Sequence, residues 1–228
     1  MRLIIKPMGF LILLATIGLL VLLGFRNKGA VVPAATTPPV VVTAAADTAP
    51  PPVAIPRTDA PNDATIYDDG VQTGWKEYGW AQEIVWNEPR FTHSPPSSVR
   101  VRFKPFDGIK FAHDPFDTQS YDRVCFHVLS GGAANQILSI SGTRAAVPGS
   151  AVDHTGKTVT LEPLPNGRWV AVVVPLDRIG LGKVPDMTSF WISDASGKPT
   201  VLYVDDVRLL HPGDAEPGGP KLGLSDRR

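Results

Sequence analysis

The chain has 228 residues with 22 basic and 22 acidic side chains, so its formal net charge is zero and its pI is near 7.0. Without a basic field to hold a phosphate backbone, nucleic acid is excluded as a partner. The single cysteine, Cys125, excludes an internal disulfide and a cysteine-rich zinc site.

The first element is an apolar run, "PMGFLILLATIGLLVLLGF" at 7–25, nineteen residues without a charge. At about 1.5 Å per residue in a helix it matches a hydrocarbon core of roughly 30 Å. A cleavable signal peptide has a shorter apolar region, about 7–15 residues, followed by a small-residue cleavage site. This run is longer and ends in "FRNK". Residues 1–28 therefore read as a transmembrane signal anchor, which places the remainder on the extracytoplasmic side, in a bacterial periplasm or at the cell surface. Cleavage would instead release a secreted protein. Residues 29–63 are dense in Pro, Ala and Thr, which blocks regular hydrogen-bonded structure and makes a semi-rigid, disordered linker. Residues 212–228, "PGDAEPGGPKLGLSDRR", read as a disordered tail.

Between linker and tail, residues 64–211 carry short period-two or apolar runs separated by Gly, Pro, Asn and Asp. "SVRVRF" sets Val99, Val101 and Phe103 against Arg100 and Arg102. "YDRVCFHVL" sets Val124, Phe126 and Val128 against Arg123, Cys125, His127 and Leu129. Within it Cys125 reads as a small buried hydrophobe. "TVTLE" alternates again, and "WVAVVVP" at 169–175 is apolar on both faces, as a strand buried between layers would be. "PLDRIGLG" fits a single helical turn, and "SFWIS" and "VLYVDDVRLL" complete about ten strands. With no crossover helix, an all-β antiparallel sandwich is predicted.

The order of these pieces resembles the jelly-roll, galactose-binding-like carbohydrate-binding modules appended to bacterial endoglucanases. The matching segments are "IYDDGVQTGWKEYGW" at 66–80, "SSVRVRF" at 97–103, "FAHDPFDTQSYDRVCFHV" at 111–128 and "GGAANQILSISG" at 131–142. They continue with "LPNGRWVAVVVPLDRIG" at 164–180 and "SFWISDASGKPTVLYVDDVRLL" at 189–210. The resemblance implies a jelly-roll sandwich that binds a polysaccharide or glycan without catalysis. It departs from the family where Tyr78 and His127 stand in place of tryptophans. The alternative is an envelope protein-interaction or assembly module that uses the same sandwich without sugar.

Candidate sugar contacts are Trp75, Tyr78, Trp80 and Gln82, where aromatic rings would cover C–H faces and an amide would meet hydroxyls. If 78–86 were one strand, Tyr78, Trp80, Gln82 and Trp86 would share a face; the competing reading makes these rings the inner face of the first strand. Arg123 and His127, joined by His113 and Gln136, are candidates for a polar groove on the other sheet face, or for an ordinary solvated one. No HxH or HxxxH spacing points to a transition metal. The acidic pairs Asp68–Asp69 and Asp205–Asp206 lie near the two ends of the domain, which become neighbours if first and last strands pair. The resemblance implies a structural Ca²⁺ there, with Asp69 and Asp206 as ligands, whereas Asp-Asp-Gly also favours a turn without any metal. Glu83, Glu88, Asp117, Glu162 and Asp194 are carboxylates without a recognisable catalytic setting, so no enzyme is expected.

Overall fold

The computed structural model describes residues 65–132, 135–146 and 153–225. The expected anchor at 1–28 and linker at 29–63 lie outside them. Among the described residues no helix is long and apolar enough to cross a membrane.

The strands run β1 (Thr65–Tyr67), β2 (Trp75–Gly79), β3 (Glu83–Glu88), β4 (Ser98–Phe103), β5 (Gly108–Phe116), β6 (Arg123–Ser130) and β7 (Leu138–Arg144). They continue with β8 (His154–Thr155), β9 (Val159–Leu161), β10 (Trp169–Pro175), β11 (Met187–Asp194), β12 (Thr200–Leu210), β13 (Lys221–Leu222) and β14 (Leu224–Ser225). They form two seven-stranded sheets. The first has the order β13-β10-β6-β12-β4-β3 with β1 on β12; the second has the order β14-β9-β7-β11-β5-β2 with β8 on β7. The predicted helical turn is the 3₁₀ turn Leu176–Ile179.

The core follows from the alternation. Val99, Val101 and Phe103 of β4 and Val124, Phe126 and Val128 of β6 point inward and are buried without exception. From the second sheet Ile109 and Phe111 of β5 and Phe190 and Ile192 of β11 meet them. Phe111 stacks on Phe190 with ring centroids 5.2 Å apart, and Trp86 meets Phe111 edge-on at 5.7 Å. Ring pairs of this kind add about 0.5–1.5 kcal/mol beyond area burial.

Two features depart from the sequence expectation. The stretch 75–88 is two strands: β2 pairs with β5 in the second sheet and β3 with β4 in the first. The chain therefore changes layer at residues 80–82, and Trp86, packed against the core, does not share the face of Tyr78 and Trp80. The segment after residue 211 is also structured as far as 225. Its β13 adds in parallel to β10, β14 pairs with β9, and Leu222 enters the core. Its Pro and Gly content misled composition, because two-residue strands need only one well-placed leucine.

Candidate functional site

Strand register places an aromatic patch on the outer face of the second sheet. Tyr78 pairs with Lys110, Lys110 with Trp191, and Trp191 with Ser141, so all four side chains leave the same face in one row across β2, β5, β11 and β7. Adjacent strands lie about 4.8 Å apart, which puts Tyr78 and Trp191 roughly 10 Å apart with Lys110 between them. In the next row Gly108 pairs with Ser193 and Ser193 with Ser139, whose hydroxyls are 2.9 Å apart.

Trp80 closes this patch from the turn after β2. Its amide donates to the Gly108 carbonyl at 3.0 Å, and its Nε1 donates to the Phe106 carbonyl at 2.9 Å. The indole meets Trp191 edge-on, centroids 6.5 Å apart at 70°. Phe106 sits at the lip in a positive-φ conformation (66°), its amide donating to Asp194 Oδ2. Asp194 is buried and also receives Gln136 Nε2 and the amides of Ser196 and Gly197, so one carboxylate organises the loops beside the patch. Tyr78, Trp80 and Phe106 are 56%, 47% and 72% exposed, and they are the exposed large apolar side chains among the described residues. Their convergence on one end of one sheet face marks a contact surface rather than scattered surface hydrophobes.

The sequence candidates divide accordingly. Tyr78 and Trp80 belong to the patch, and Gln82 lies beside it in the turn, its backbone N–H donating to Asp107 Oδ2 at 2.9 Å. Trp75 is buried on the inner face, edge-on to His113 at 5.0 Å and to Phe190 at 6.5 Å. His113 shares that inner side, its Nδ1 against the Asp114 carbonyl at 2.6 Å. Gln136 is buried against Asp194. Arg123 lies in the first sheet, paired with Asp122 and Glu216. The eight candidates do not form one surface. Sequence reading passed over Lys110, Phe106 and Trp191. Trp191 was accessible, because in "SFWIS" the inward Phe190 and Ile192 leave Trp191 outward by period two.

A second cluster occupies the outer face of the first sheet. There His127 pairs with Asp205, and segment 89–98, with a cis Pro95–Pro96 bond, lies over both. Asp205 Oδ2 accepts the amides of His93 (2.8 Å) and Ser94 (3.1 Å), and Asp69 Oδ1 accepts that of Ser97 (2.9 Å). The expected groove on this face is therefore filled, and His127 is buried. A bulge in β12 after Asp205, with Asp206 at φ 52°, turns the Asp206 carboxylate toward His93 and His127. Burial, reinforced by the Asp206 charge, pushes Asp205 up to about 8 against three backbone donors. Burial acts on Asp206 in the same direction, but the facing His127 and His93 rings and the Ser94 hydroxyl outweigh it and hold Asp206 below the usual carboxylate range.

Pairing of β1 with β12 does bring the acidic pairs to one end of the domain, Tyr67 opposite Val207. The donor set nevertheless does not fit the Ca²⁺ that the resemblance implies. Asp68 contributes its carbonyl to Gln72 at 3.2 Å, Asp69 and Asp205 accept backbone amides, and Asp206 faces two imidazoles. Ca²⁺ takes six to eight oxygens and disfavours such nitrogen donors. Of the other carboxylates, Glu83 pairs with Arg100 and Arg102, and the buried Glu88 with Arg90 and Arg100.

No protein-family model matches the chain, and no curated protein matches it. Among solved structures it is similar in fold to carbohydrate-binding modules. A family 30 module of a cellulosomal cellulase from Clostridium thermocellum is 14% identical, with 66% of this chain and 98% of that one covered and a TM-score of 0.49. A family 11 module from the same organism, in complex with a β-1,3-1,4-mixed-linked tetrasaccharide, is 14% identical, with 65% and 95% covered and a TM-score of 0.45. A family 29 module from Piromyces equi is 9% identical, with 64% and 87% covered and a TM-score of 0.43.

Proposed function

We propose that the domain is a non-catalytic module that binds a polysaccharide or glycan on the outer face of its second sheet. The observation that carries this reading is the convergence of the exposed Tyr78 and Trp80 with Trp191 beside Lys110, next to the exposed Phe106 whose carbonyl holds the Trp80 indole. Sugar rings present apolar C–H faces and a hydroxyl rim. Aromatic side chains cover the former, while the Lys110 ammonium and the Ser139–Ser193 hydroxyls meet the latter. The patch rests on paired strands, so its rings are held in place before ligand arrives, which lowers the ordering cost of binding. The uncharged run at 7–25 and the Pro-rich stretch that follows support a module tethered on the extracytoplasmic side of a membrane and held out from it.

The test is calorimetric titration of the full-length chain against a panel of soluble cell-wall and plant polysaccharides. Binding to at least one of them, reduced by Trp191→Ala and by Tyr78→Ala, is expected. A flat response across the panel, or binding indifferent to both substitutions, overturns the proposal.

A further inference from the structure

The cluster on the first sheet is untouched by the sugar-binding reading and lies on the opposite outer face of the sandwich. His93 and His127 stack almost parallel, ring centroids 3.5 Å apart at 12°. Their Nδ1 atoms lie 2.6 and 3.0 Å from a single oxygen, Asp206 Oδ2. One potential ligand atom from each of the three residues falls within 4.8 Å of the other two. We propose that His93, His127 and Asp206 bind a divalent transition-metal ion of the zinc class.

Three observations carry this. First, the donors are of the right kind: two imidazole nitrogens and one carboxylate oxygen make a three-ligand set that suits Zn²⁺ and its neighbours, with a further position left for water. Second, His127 is 6% exposed, yet neither of its ring nitrogens has a hydrogen-bond partner. Its 3.0 Å approach to Asp206 is an ion-pair contact rather than a well-formed hydrogen bond. A buried imidazole left in that state is destabilising, and a ligand it can coordinate removes the deficit. Third, the groups around the three are already committed to holding them. Ser94 Oγ donates to Asp206 Oδ1, Asp205 Oδ1 accepts the Asp206 amide at 2.9 Å, and Asp205 Oδ2 accepts the His93 amide. Trp169 stands edge-on to His93 at 5.7 Å and walls one side. Supporting contacts of this kind orient metal ligands in known sites. The Asp206 side chain retains 23% exposure, which leaves the carboxylate reachable from solvent.

The ligands come from residues 34 and 79 positions apart along the chain (93 to 127, 127 to 206), which is why no HxH-type spacing announces them. The site would tie segment 89–98 to β6 and β12 and so fasten the covering loop to the sheet.

The test uses the full-length chain, stripped with chelator and dialysed, with Co²⁺ as a spectroscopic probe and Zn²⁺ as competitor. One equivalent of Co²⁺ is expected to give the visible d–d bands of a four- or five-coordinate ion. Zn²⁺ should abolish them stoichiometrically and raise the melting temperature by several degrees, while excess Ca²⁺ leaves the bands unchanged. His93→Asn and His127→Gln should each weaken Zn²⁺ binding about 100-fold or more, and His211→Asn should leave it unaltered. Because substituting the buried His127 threatens folding, X-ray absorption of the Zn²⁺-loaded natural sequence provides the second readout, with two imidazole ligands expected. No saturable Co²⁺ band, bands that survive both histidine substitutions, or an all-oxygen shell around Zn²⁺ overturns the proposal.

Discussion

Trp80 lies across Gly108 so closely that a Cβ at position 108 would stand 2.4 Å from the indole Cζ2. The glycine is thus part of the aromatic patch although it contributes no side chain. Gly108→Ala is expected to push the ring outward, break the Nε1 bond to the Phe106 carbonyl and lower glycan affinity. Because the ring is half exposed and its displacement into solvent leaves the core packing untouched, the melting temperature should change little. Calorimetry and thermal unfolding of the same variant check both halves.

Trp75 and Trp191 should separate stability from binding. Trp75 is buried among Phe116, Phe190 and His113, so Trp75→Ala should destabilise by about 3–5 kcal/mol. Trp191 has the outer face, and Trp191→Ala should cost ligand binding roughly tenfold, more than about 1 kcal/mol, with a much smaller loss of stability. Urea unfolding alongside titration measures the contrast.

Glu88 should make stability acid-sensitive. Its carboxylate accepts the amide and the guanidinium of Arg90 at 2.8–3.0 Å while buried beside Arg100. The Arg90 hydrogen bonds, against burial, hold its pKa below the usual carboxylate value. A lowered folded pKa means the stabilisation is present above the unfolded value near 4.3 and is lost as pH falls through the folded one. Glu88→Gln should therefore be less stable than the natural sequence at neutral pH, with the gap closing below about pH 4. Unfolding curves between pH 7 and 3 measure it.

Cys125 should be inert in the native state. It is buried, and burial pushes its thiol up to about 11, against the Arg208 side chain that lowers it. Only the thiolate is nucleophilic, so a thiol reagent at pH 8 should label it at the rate of unfolding and at once in denaturant. Rapid native labelling would contradict the packing.

Deleting residues 212–225 should lower stability rather than leave it unchanged. The deletion removes Leu222, worth about 1.5–3 kcal/mol of burial, bares the β9 and β10 edges, and strips Glu216 from Arg123. Thermal unfolding of the truncated chain measures this, and an unchanged midpoint would show that β13 and β14 contribute nothing.

Much of the sandwich was legible because burial of one sheet face imposes period two. Val99, Val101 and Phe103, and again Val124, Phe126 and Val128, announced their strands and the direction of the core. The patch was half legible: Tyr78 and Trp80 were found by crowding, but the layer change at 80–82 is invisible to a periodicity that assumes one strand. His127 was placed on the correct strand face, and what covers that face was not foreseen.

The sequence by itself determined the all-β class, the inward faces of the long strands and the candidate rings, because these depend on neighbours two residues apart. Tertiary structure alone decided which rings remain exposed, that Trp191 and Lys110 join Tyr78, and that His93, His127 and Asp206 meet at one oxygen. Those outcomes depend on strand order and on a loop folded across a sheet, and residues 34 or 79 positions apart along the chain leave no local pattern to read.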